Sequence, residues 1–371
     1  MQNDKLLQHN EIKNYPGRKL HEISPYIGKL RPILAKQLVN DYSRPDQLIW
    51  DPFCGSGTIP LEARLQGRHI IASDVNPYAC TLTRAKLQAP QSERTCVSQV
   101  AMLASIARAN VERSDDGTPD WVKGFFHDET LNETKILLSE SLKRRFYFIA
   151  GCLLGILHHQ RPGFLSYPAS HLVPYLRDNL FPRDQYPEAY EYRDPIPRLN
   201  GKIRRILALP PPRRTTKYRI LQKSVLDRYL SPRSIDAIIT SPPYMNALDY
   251  AKDNRLRLWF LGVEDFRRIK EREIGKIRTF ESDMTTVLRI MADVLKPGGA
   301  CVLVLGDVSR ANRSFDVPEM IIDIVKKNGK AWVLENQWSD AIPDRRRSRR
   351  NGRTTRYERV MIFRKTKRSG L

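Results

Sequence analysis

Residues 48–58 have the sequence LIWDPFCGSGT, an apolar run that ends in an acid and a glycine-rich turn. The first three residues are typical of a short buried strand, and Asp51 stands at the end of that strand. Gly55 and Gly57 permit a tight turn and a close approach to the backbone. Residues 59–66 then predict a helix. Strand, acid, turn and helix in this order indicate the first βα unit of an α/β sheet.

The same pattern continues along the chain. Residues 69–73 predict a second strand that ends at Asp74, and a helix follows at 77–87. Further strands are predicted at 218–221, 235–240 and 300–305, with a closing antiparallel pair at 331–334 and 359–363. Further helices are predicted at 32–39, 283–295 and 318–328, with a tight turn at 296–299. This alternation predicts an α/β protein with a doubly wound, mainly parallel sheet.

Residues 90–215 interrupt the alternation. They contain helical patterns at 98–113 and 129–157, and then a region from 162 to 212 that is rich in proline and tyrosine. This composition favours an inserted lobe with long loops over sheet strands. The sequence therefore predicts three parts: an N-terminal arm and the first half of the sheet domain in residues 1–89, the insertion in 90–215, and the second half with a basic C-terminal segment in 216–371.

The composition points to a polyanionic partner. The chain of 371 residues has a formal net charge of +22, and proteins this basic most often bind DNA or RNA. Its five cysteines are scattered and show no C-x-x-C spacing, which favours a reducing compartment over a disulfide frame or a zinc site. The N-terminus has no signal-like apolar segment, and the apolar stretch at 146–157 is too short to cross a bilayer. We therefore expect a cytoplasmic protein that does not enter membranes.

The glycine loop favours a cationic nucleotide ligand. No Lys-Ser/Thr follows Gly57, so the loop is not a phosphate-binding P-loop, and the dinucleotide fingerprint G-x-G-x-x-G is incomplete. Asp51 can instead bind an ammonium or sulfonium group, and Asp74 lies at the distance along the chain at which an acid binds ribose hydroxyls. Together the two acids fit S-adenosylmethionine. A capping acid and turn glycines in an unrelated α/β protein would give the same residues.

A second motif, Ser241-Pro242-Pro243-Tyr244, follows the strand predicted at 235–240. Consecutive prolines can neither continue a strand ladder nor enter a helix interior, so the chain stops rigidly at the strand end. Exposed backbone carbonyls, a hydroxyl and an aromatic ring suit a flat ligand with polar edges, such as a nucleobase. An ordinary turn at the end of a strand is the alternative interpretation.

Together the two motifs resemble the amino-methyltransferases that methylate exocyclic amines of DNA bases with S-adenosylmethionine. The D-P-F-x-G-x-G loop at 51–57 is similar to the cofactor motif of that family, and residues 241–244 are similar to its catalytic motif. Weaker similarities lie at 26–32, 295–307 and 356–365. The resemblance covers about residues 20–88 and 218–366. It implies a Rossmann-like methyltransferase fold with a seven-stranded sheet and an inserted, mostly helical target-recognition region.

The resemblance also implies the residues of the site. The cofactor residues would be Tyr26, Asp51, Phe53, Gly55, Gly57, Thr58, Asp74 and Asn76, and the catalytic residues Ser241, Pro242, Pro243 and Tyr244. The chain departs from the family at Gln222-Lys223-Ser224, where an acid often contacts the cofactor's adenine; Asp227 is the candidate substitute. Asn246, Asp249 and Tyr250 follow the catalytic motif and are candidates to contact the target or the cofactor.

The implied cofactor is S-adenosylmethionine and the implied partner is double-stranded DNA. The insertion is the candidate target-recognition region, with a basic cluster at its end between Lys202 and Arg219. The segment 345–356 is the candidate for phosphate contacts, through Arg345, Arg346, Arg347, Arg349, Arg350 and Arg353. A solvated basic face is the alternative for both. No metal is expected, since His158-His159 has no partner at ligand spacing. A role in restriction and modification would need a partner nuclease, which the sequence does not identify, and the oligomeric state is equally undetermined.

The expected chemistry is methyl transfer to an amine. Methylation of cytosine C5 needs a cysteine nucleophile, usually after a proline, and no cysteine here follows one. The Pro242 carbonyl and the Ser241 side chain are candidate acceptors for the amino hydrogens, while Tyr244 would stack on a flipped base. Serine at the first motif position is more typical of family members that act on cytosine N4, so that acceptor is favoured. Adenine N6, guanine N2 of an RNA and a non-catalytic DNA-binding protein are the alternatives.

Overall fold

The computed structural model describes residues 15–110, 117–213, 215–243, 245, 249–306, 308–310, 313–327, 331–341 and 357–367. The strands are β1 Leu48–Asp51, β2 His69–Ser73, β3 Tyr218–Leu221, β4 Ile235–Thr240, β5 Leu295–Gly306, β6 Val308–Arg310, β7 Arg313–Phe315, β8 Trp332–Ala341 and β9 Tyr357–Lys365. Short 3₁₀ helices lie at Arg18–Glu22, Pro187–Tyr190 and Val225–Asp227. No helix within these described ranges is long and apolar enough to cross a membrane.

The α-helices are α1 Pro32–Tyr42, α2 Thr58–Leu65, α3 Pro77–Leu87, α4 Glu93–Ala109, α5 Asp120–Lys123, α6 Asp128–Lys143, α7 Tyr147–Gly155, α8 Pro195–Leu207, α9 Tyr250–Asp253, α10 Arg255–Phe260, α11 Arg267–Arg272, α12 Phe280–Val294 and α13 Val317–Lys327. The chain divides into two compact units. The helical unit comprises residues 1–26, 84–213 and 251–267, and the sheet unit comprises 27–83, 214–250 and 268–371. Residues 251–267, which follow the predicted catalytic motif in sequence, thus join the helical unit.

The sheet unit contains a seven-stranded sheet with the order β3-β2-β1-β4-β5-β9-β8. The first five of these strands are parallel to one another, and β9 is antiparallel to both β5 and β8. The strand order reverses beside β1, between β1 and β4, which is where doubly wound sheets bind their ligands. The predicted mainly parallel α/β sheet and its closing antiparallel pair are both confirmed.

Helices cover both faces of this sheet. Along β5, Cys301, Leu303 and Leu305 pack with α12 and α13, while Val302 and Val304 pack with α1 and α2 on the opposite face. All five side chains are buried. A strand covered on both faces reads as one continuous apolar run, which is why the sequence predicted the centre of this strand.

The turn predicted at residues 296–299 is a bulge at the start of β5. Leu295 already pairs with Ile235, and the next pair is Ala300 with Ala237, so four residues of β5 lie opposite one residue of β4. Gly299 sits where a Cβ atom would come 2.9 Å from the Asp236 carbonyl oxygen. The sequence predicted a tight turn before the strand, and the structure instead has a bulge inside the strand. The glycine pair lets the chain bulge out there without leaving the strand.

The helical unit contains a break that the sequence did not predict. The single helical pattern at 129–157 forms two helices, α6 and α7, separated at Arg145, whose φ is 58°. The Arg145 amide donates to the Leu142 carbonyl and the Phe146 amide to the Ser141 carbonyl, which is a Schellman motif. Glycine usually occupies the left-handed position of this motif, so an arginine there gives no stop signal. Helix α8, within the proline-rich region, was also missed.

Candidate cofactor and catalytic site

Asp51 ends β1 with its side chain buried. Its Oδ1 atom accepts a hydrogen bond from the Thr240 hydroxyl (2.6 Å) and one from the Phe53 amide (3.3 Å). Burial raises the pKa of Asp51 to about 7, and the hydrogen bond from Thr240 acts in the opposite direction. The carboxylate forms no ion pair with any described residue. A cationic ligand group would therefore meet an uncompensated acid here.

Asp74 follows β2 and lies half-buried beside the glycine loop. Its Oδ2 atom accepts the Gly55 amide and its Oδ1 atom accepts the Asn76 amide, both at 2.9 Å. Burial raises the pKa of Asp74 to about 6, against the lowering effect of these amides. The second acid thus fixes the loop that follows the first acid, and this contact joins the two halves of the cofactor motif.

The two glycines of the loop have different structural roles. Gly55 and Gly57 both have positive φ, 46° and 73°. A Cβ atom at Gly57 would lie 2.6 Å from the Thr83 hydroxyl oxygen and 2.9 Å from the Thr83 Cα. Gly57 is therefore needed where α3 packs against the loop, in addition to starting α2 in the left-handed conformation.

Asn76 is both a helix cap and a candidate ligand group. Its Oδ1 accepts the Tyr78 amide (2.9 Å), which is N-cap geometry for α3. Its Nδ2 atom is buried and finds no hydrogen-bond partner among the described residues. A buried donor without a partner needs an explanation, and a ribose hydroxyl would satisfy it. The two acids and this amide fit S-adenosylmethionine.

The other predicted cofactor residues take more ordinary positions. Thr58 is the first residue of α2, is buried, and its hydroxyl lies 3.2 Å from the Ser56 hydroxyl. Phe53 is partly buried against the apolar cluster of the sheet. Tyr26 is buried and is the last residue of the N-terminal segment of the helical unit. The roles of these three residues stay predictions.

Ser241 begins the turn after β4. Its hydroxyl donates a hydrogen bond to the Val304 carbonyl of the neighbouring strand β5 (3.0 Å). Since a carbonyl can only accept, the single hydroxyl hydrogen is committed, and only the lone pairs of Oγ are left to bind another group. Pro242 is buried and Pro243 half-buried, while Tyr244 lies outside the described residues, as does Asn246.

Sequence reasoning missed Thr240, although it links the two motifs. Its side chain is fully buried at the end of β4 and bonds Asp51 of the adjacent strand β1. The available signal was a hydroxyl at the end of an otherwise apolar run, because a buried polar group must find a partner. Nothing in the sequence identifies that partner, 189 residues away.

Asp227 has structural partners. Its Oδ2 atom accepts the Ser224 amide (3.0 Å) in a capping box and pairs with Arg272 at 3.5 Å. Lys223 places its ammonium group 5.9 Å from the centre of the Tyr229 ring. A contact of Asp227 with adenine therefore stays a prediction, and the contacts that are present explain this acid without a ligand.

Two residues of the basic cluster predicted at the end of the insertion have partners within the protein, and a contact of the cluster with nucleic acid stays a prediction. Lys202 is buried and donates to the Glu22 carbonyl (2.8 Å), and Arg204 pairs with Glu93 (3.3 Å). Residues up to 213 lie in the helical unit and later ones in the sheet unit. The arginines of 345–356 lie outside the described residues. Within the described ranges, no group of His, Cys, Asp or Glu is arranged to hold a metal ion.

Comparison with known proteins gives two family matches. Residues 23–118 match a model described as RMKL-like, methyltransferase domain, and residues 235–369 match one described as DNA methylase. The type II methyltransferase M.MjaII of Methanocaldococcus jannaschii is 34% identical over 71 residues, which are 19% of this chain and 13% of that protein. The chain therefore spans only a small part of that relative.

Solved structures give weaker likenesses. TrmN from Thermus thermophilus has a TM-score of 0.37 and 14% identity, with 94% of this chain and 53% of that chain covered. An S-adenosylmethionine-dependent methyltransferase from Methanosarcina mazei has a TM-score of 0.38 and 10% identity, covering 91% and 99%. The rRNA methyltransferase aviRa from Streptomyces viridochromogenes has a TM-score of 0.33 and 14% identity, covering 92% and 87%. At these TM-scores the likenesses carry no weight for function.

The sheet order, the two acids at neighbouring strand ends and the two family matches define the fold of a methyltransferase that uses S-adenosylmethionine.

Proposed function

We propose that this chain transfers the methyl group of S-adenosylmethionine to an exocyclic amine of a flipped base in double-stranded DNA, with N4 of cytosine as the favoured acceptor. One observation carries the proposal. At the end of β4, Thr240 bonds the cofactor acid Asp51, and the next residue, Ser241, bonds the Val304 carbonyl. Both groups are thus fixed on adjacent strands. The DNA methylase match over 235–369 supports DNA as the acceptor.

The cofactor residues have separate tasks. When bound, S-adenosylmethionine supplies an electrophilic methyl group on a sulfonium. The Asp51 carboxylate, ionised, would face the cationic methionine end, and Asp74 with the Nδ2 group of Asn76 would bind the ribose hydroxyls. Because the Asp51 carboxylate is buried and held by two hydrogen bonds, it needs no reorganisation when the cation arrives.

Ser241 acts as an acceptor for the target amine. The lone pair of an exocyclic amine is delocalised into the base, so the nitrogen is a poor nucleophile. Hydrogen bonds from its N–H groups to the Ser241 Oγ and the Pro242 carbonyl direct its single lone pair towards the methyl group. As the N–C bond forms and the methyl–sulfur bond breaks, with its electron pair left on sulfur, the nitrogen becomes cationic and these hydrogen bonds strengthen, so they favour the transition state over the ground state. The methylated nitrogen then loses one proton to solvent.

The cysteines support transfer to an amine over transfer to a ring carbon. All five are buried and free, including Cys54 in the cofactor loop. Burial raises the pKa of Cys96 and of Cys152 to about 12 and raises that of Cys301. The pKa of Cys54 is also raised well above its ordinary value, chiefly by its hydrogen bond with Cys80. A buried neutral thiol is a weak nucleophile, so none suits covalent attack on a pyrimidine.

The test is methyl transfer from S-adenosylmethionine carrying a labelled methyl group. Purified protein is incubated with duplex DNA, with tRNA or rRNA, or without an acceptor. We expect label in DNA alone. Label in RNA but not in DNA would overturn the proposal in favour of the RNA alternative, and cofactor binding without transfer to any acceptor would favour a non-catalytic protein.

A further inference from the structure

A basic segment follows the catalytic motif in the sheet unit and has no assigned role. Residues 268–278 carry five exposed basic side chains and only two acids, Glu271 and Glu273. The basic residues are Arg268, Lys270, Arg272, Lys276 and Arg278. The segment comprises most of α11 and the connection to α12, and we call it the basic segment.

Two ion pairs fix the basic segment beside the site. Lys270 pairs with Asp249, in the chain that follows the catalytic motif, at 2.5 Å. Arg272 pairs with Asp227 at 3.5 Å, in the connection between β3 and β4. Each pair is partly exposed and contributes little stability by itself, but together they link α11 to the loops on both sides of β4.

Apolar contacts fix the segment more firmly. Ile274, in the middle of the segment, is buried in the apolar cluster of the sheet. Phe280, the first residue of α12, is buried in the same cluster. The same cluster contains Met245, one residue after the catalytic motif. The basic segment therefore rests on the same apolar core as the catalytic turn.

The charge of the segment is not neutralised. After the two ion pairs, Arg268, Lys276 and Arg278 remain, and none of them forms an ion pair within the part of the chain that the structure describes. Lys276 donates to the Glu271 backbone carbonyl (3.0 Å). These three cations outnumber the two acids of the segment, Glu271 and Glu273. Exposed cations that form no ion pair, beside a site for a flipped base, complement the phosphates that flank such a base.

We propose that the basic segment binds the phosphate backbone of the substrate duplex next to the flipped base, through Arg268, Lys276 and Arg278. The inference rests on the proposed function and names the surface that holds its substrate. Phosphate contacts carry no sequence information, so the segment sets the position of the duplex and leaves recognition of the sequence to other residues.

The test measures the binding of a labelled duplex oligonucleotide by fluorescence anisotropy at several salt concentrations. Log affinity falls as log salt rises, and each phosphate contact adds about 0.9 to the steepness of that fall. The triple variant R268A/K276A/R278A should therefore reduce the magnitude of the slope by about 3. Affinity should fall for every duplex sequence alike. The affinity for S-adenosylmethionine, measured by calorimetry, should not change.

Two control variants match this change. R44A/R233A/K367A removes the same charge from three exposed residues that lie just before β1, just before β4 and just after the antiparallel strand β9, at the opposite ends of the parallel strands, and should leave the slope unchanged. The conservative variant R268K/R278K keeps the charge and should also preserve the slope. An unchanged slope in R268A/K276A/R278A, or an equal loss in R44A/R233A/K367A, would overturn the proposal.

Failure of this inference is separable from failure of the proposed function. If the wild type methylates DNA and the triple variant binds DNA as well as the wild type does, only the basic segment is excluded. If the wild type transfers no methyl group but the triple variant shows the smaller salt dependence, DNA binding by the basic segment is supported and the proposed methyl transfer is excluded. A lower slope with structured RNA alone would overturn DNA as the partner of the segment.

Discussion

Ser241 acts, in the proposed mechanism, through an oxygen whose hydrogen is already committed to Val304. Ser241→Ala removes that acceptor, and loss of one group that stabilises a transition state commonly lowers kcat by about 100-fold. We expect the affinity for S-adenosylmethionine to be unchanged, because the cofactor acids are untouched. Ser234→Ala, before the start of β4, is the matched control and should keep full activity. Equal activity of the two variants in single-turnover transfer would exclude Ser241 as the acceptor.

A second prediction at the scale of single residues concerns Thr240 and the pH dependence of cofactor binding. Its hydrogen bond stabilises the ionised form of Asp51, whose pKa burial raises to about 7. A cationic ligand needs the ionised acid, so its affinity should rise as the pH rises through that pKa. Thr240→Val removes the hydrogen bond and raises the pKa further, so the rise should move to higher pH. Hydrogen bonds to charged groups contribute about 2 kcal/mol, so affinity near neutral pH should fall at least about 10-fold.

Calorimetric titration with S-adenosylmethionine across this pH range measures the shift. Thr286→Val, which removes an exposed hydroxyl on α12, is the control and should show the wild-type profile. If Thr240→Val lowers the affinity by the same factor at every pH, the midpoint of the pH profile has not moved. That result would contradict the proposed effect of Thr240 on the pKa of Asp51, because loss of packing alone lowers affinity without moving the midpoint.

At the scale of elements, Gly57 tests how the cofactor loop is built. Gly57 and Gly67 both have positive φ, 73° and 81°, but only Gly57 lies against α3, since a Cβ at Gly67 meets nothing within 4 Å. Gly67→Ala should cost about 1 kcal/mol of unfolding free energy for the left-handed backbone alone. Gly57→Ala should cost about 3 kcal/mol, because overlap with Thr83 adds to that strain.

Denaturant unfolding of the two variants makes the comparison. Equal costs for the two alanines would show that α3 and the loop can move apart without penalty. That result would remove the reason given for the glycine. A larger cost at Gly67 would contradict the geometry of both turns.

The elements that sequence predicts best are those with local signals. β1 to β5 lie where apolar runs predicted strands, because buried parallel strands keep continuous apolar sequence. The break at Arg145 gave no signal, since its left-handed turn lacks glycine. The acids and glycines of the site could be predicted from their order along the chain. The bonds Thr240–Asp51 and Ser241–Val304 could not, because they depend on which strands become neighbours.

At the scale of the whole molecule, one sheet is assembled from distant parts of the chain. The sheet unit combines residues 27–83, 214–250 and 268–371, so Asp51 meets Thr240, which precedes the predicted catalytic motif, only after the intervening 130 residues of the helical unit (84–213) are accommodated. The change in composition at about residue 90 predicts that an insertion begins there. No change in composition marks residues 251–267, so their return to the helical unit could not be predicted from the sequence.

The central claim is that the methyl group goes to an exocyclic amine of DNA. Its most direct test is mass spectrometry of nucleosides from duplex DNA that the purified protein has methylated with S-adenosylmethionine carrying a labelled methyl group. We predict labelled N4-methylcytosine in the wild-type reaction and its loss with Ser241→Ala. Labelled N6-methyladenine would keep the mechanism and correct the base. Label on cytosine C5, or on RNA nucleosides alone in a parallel digest, would contradict the claim.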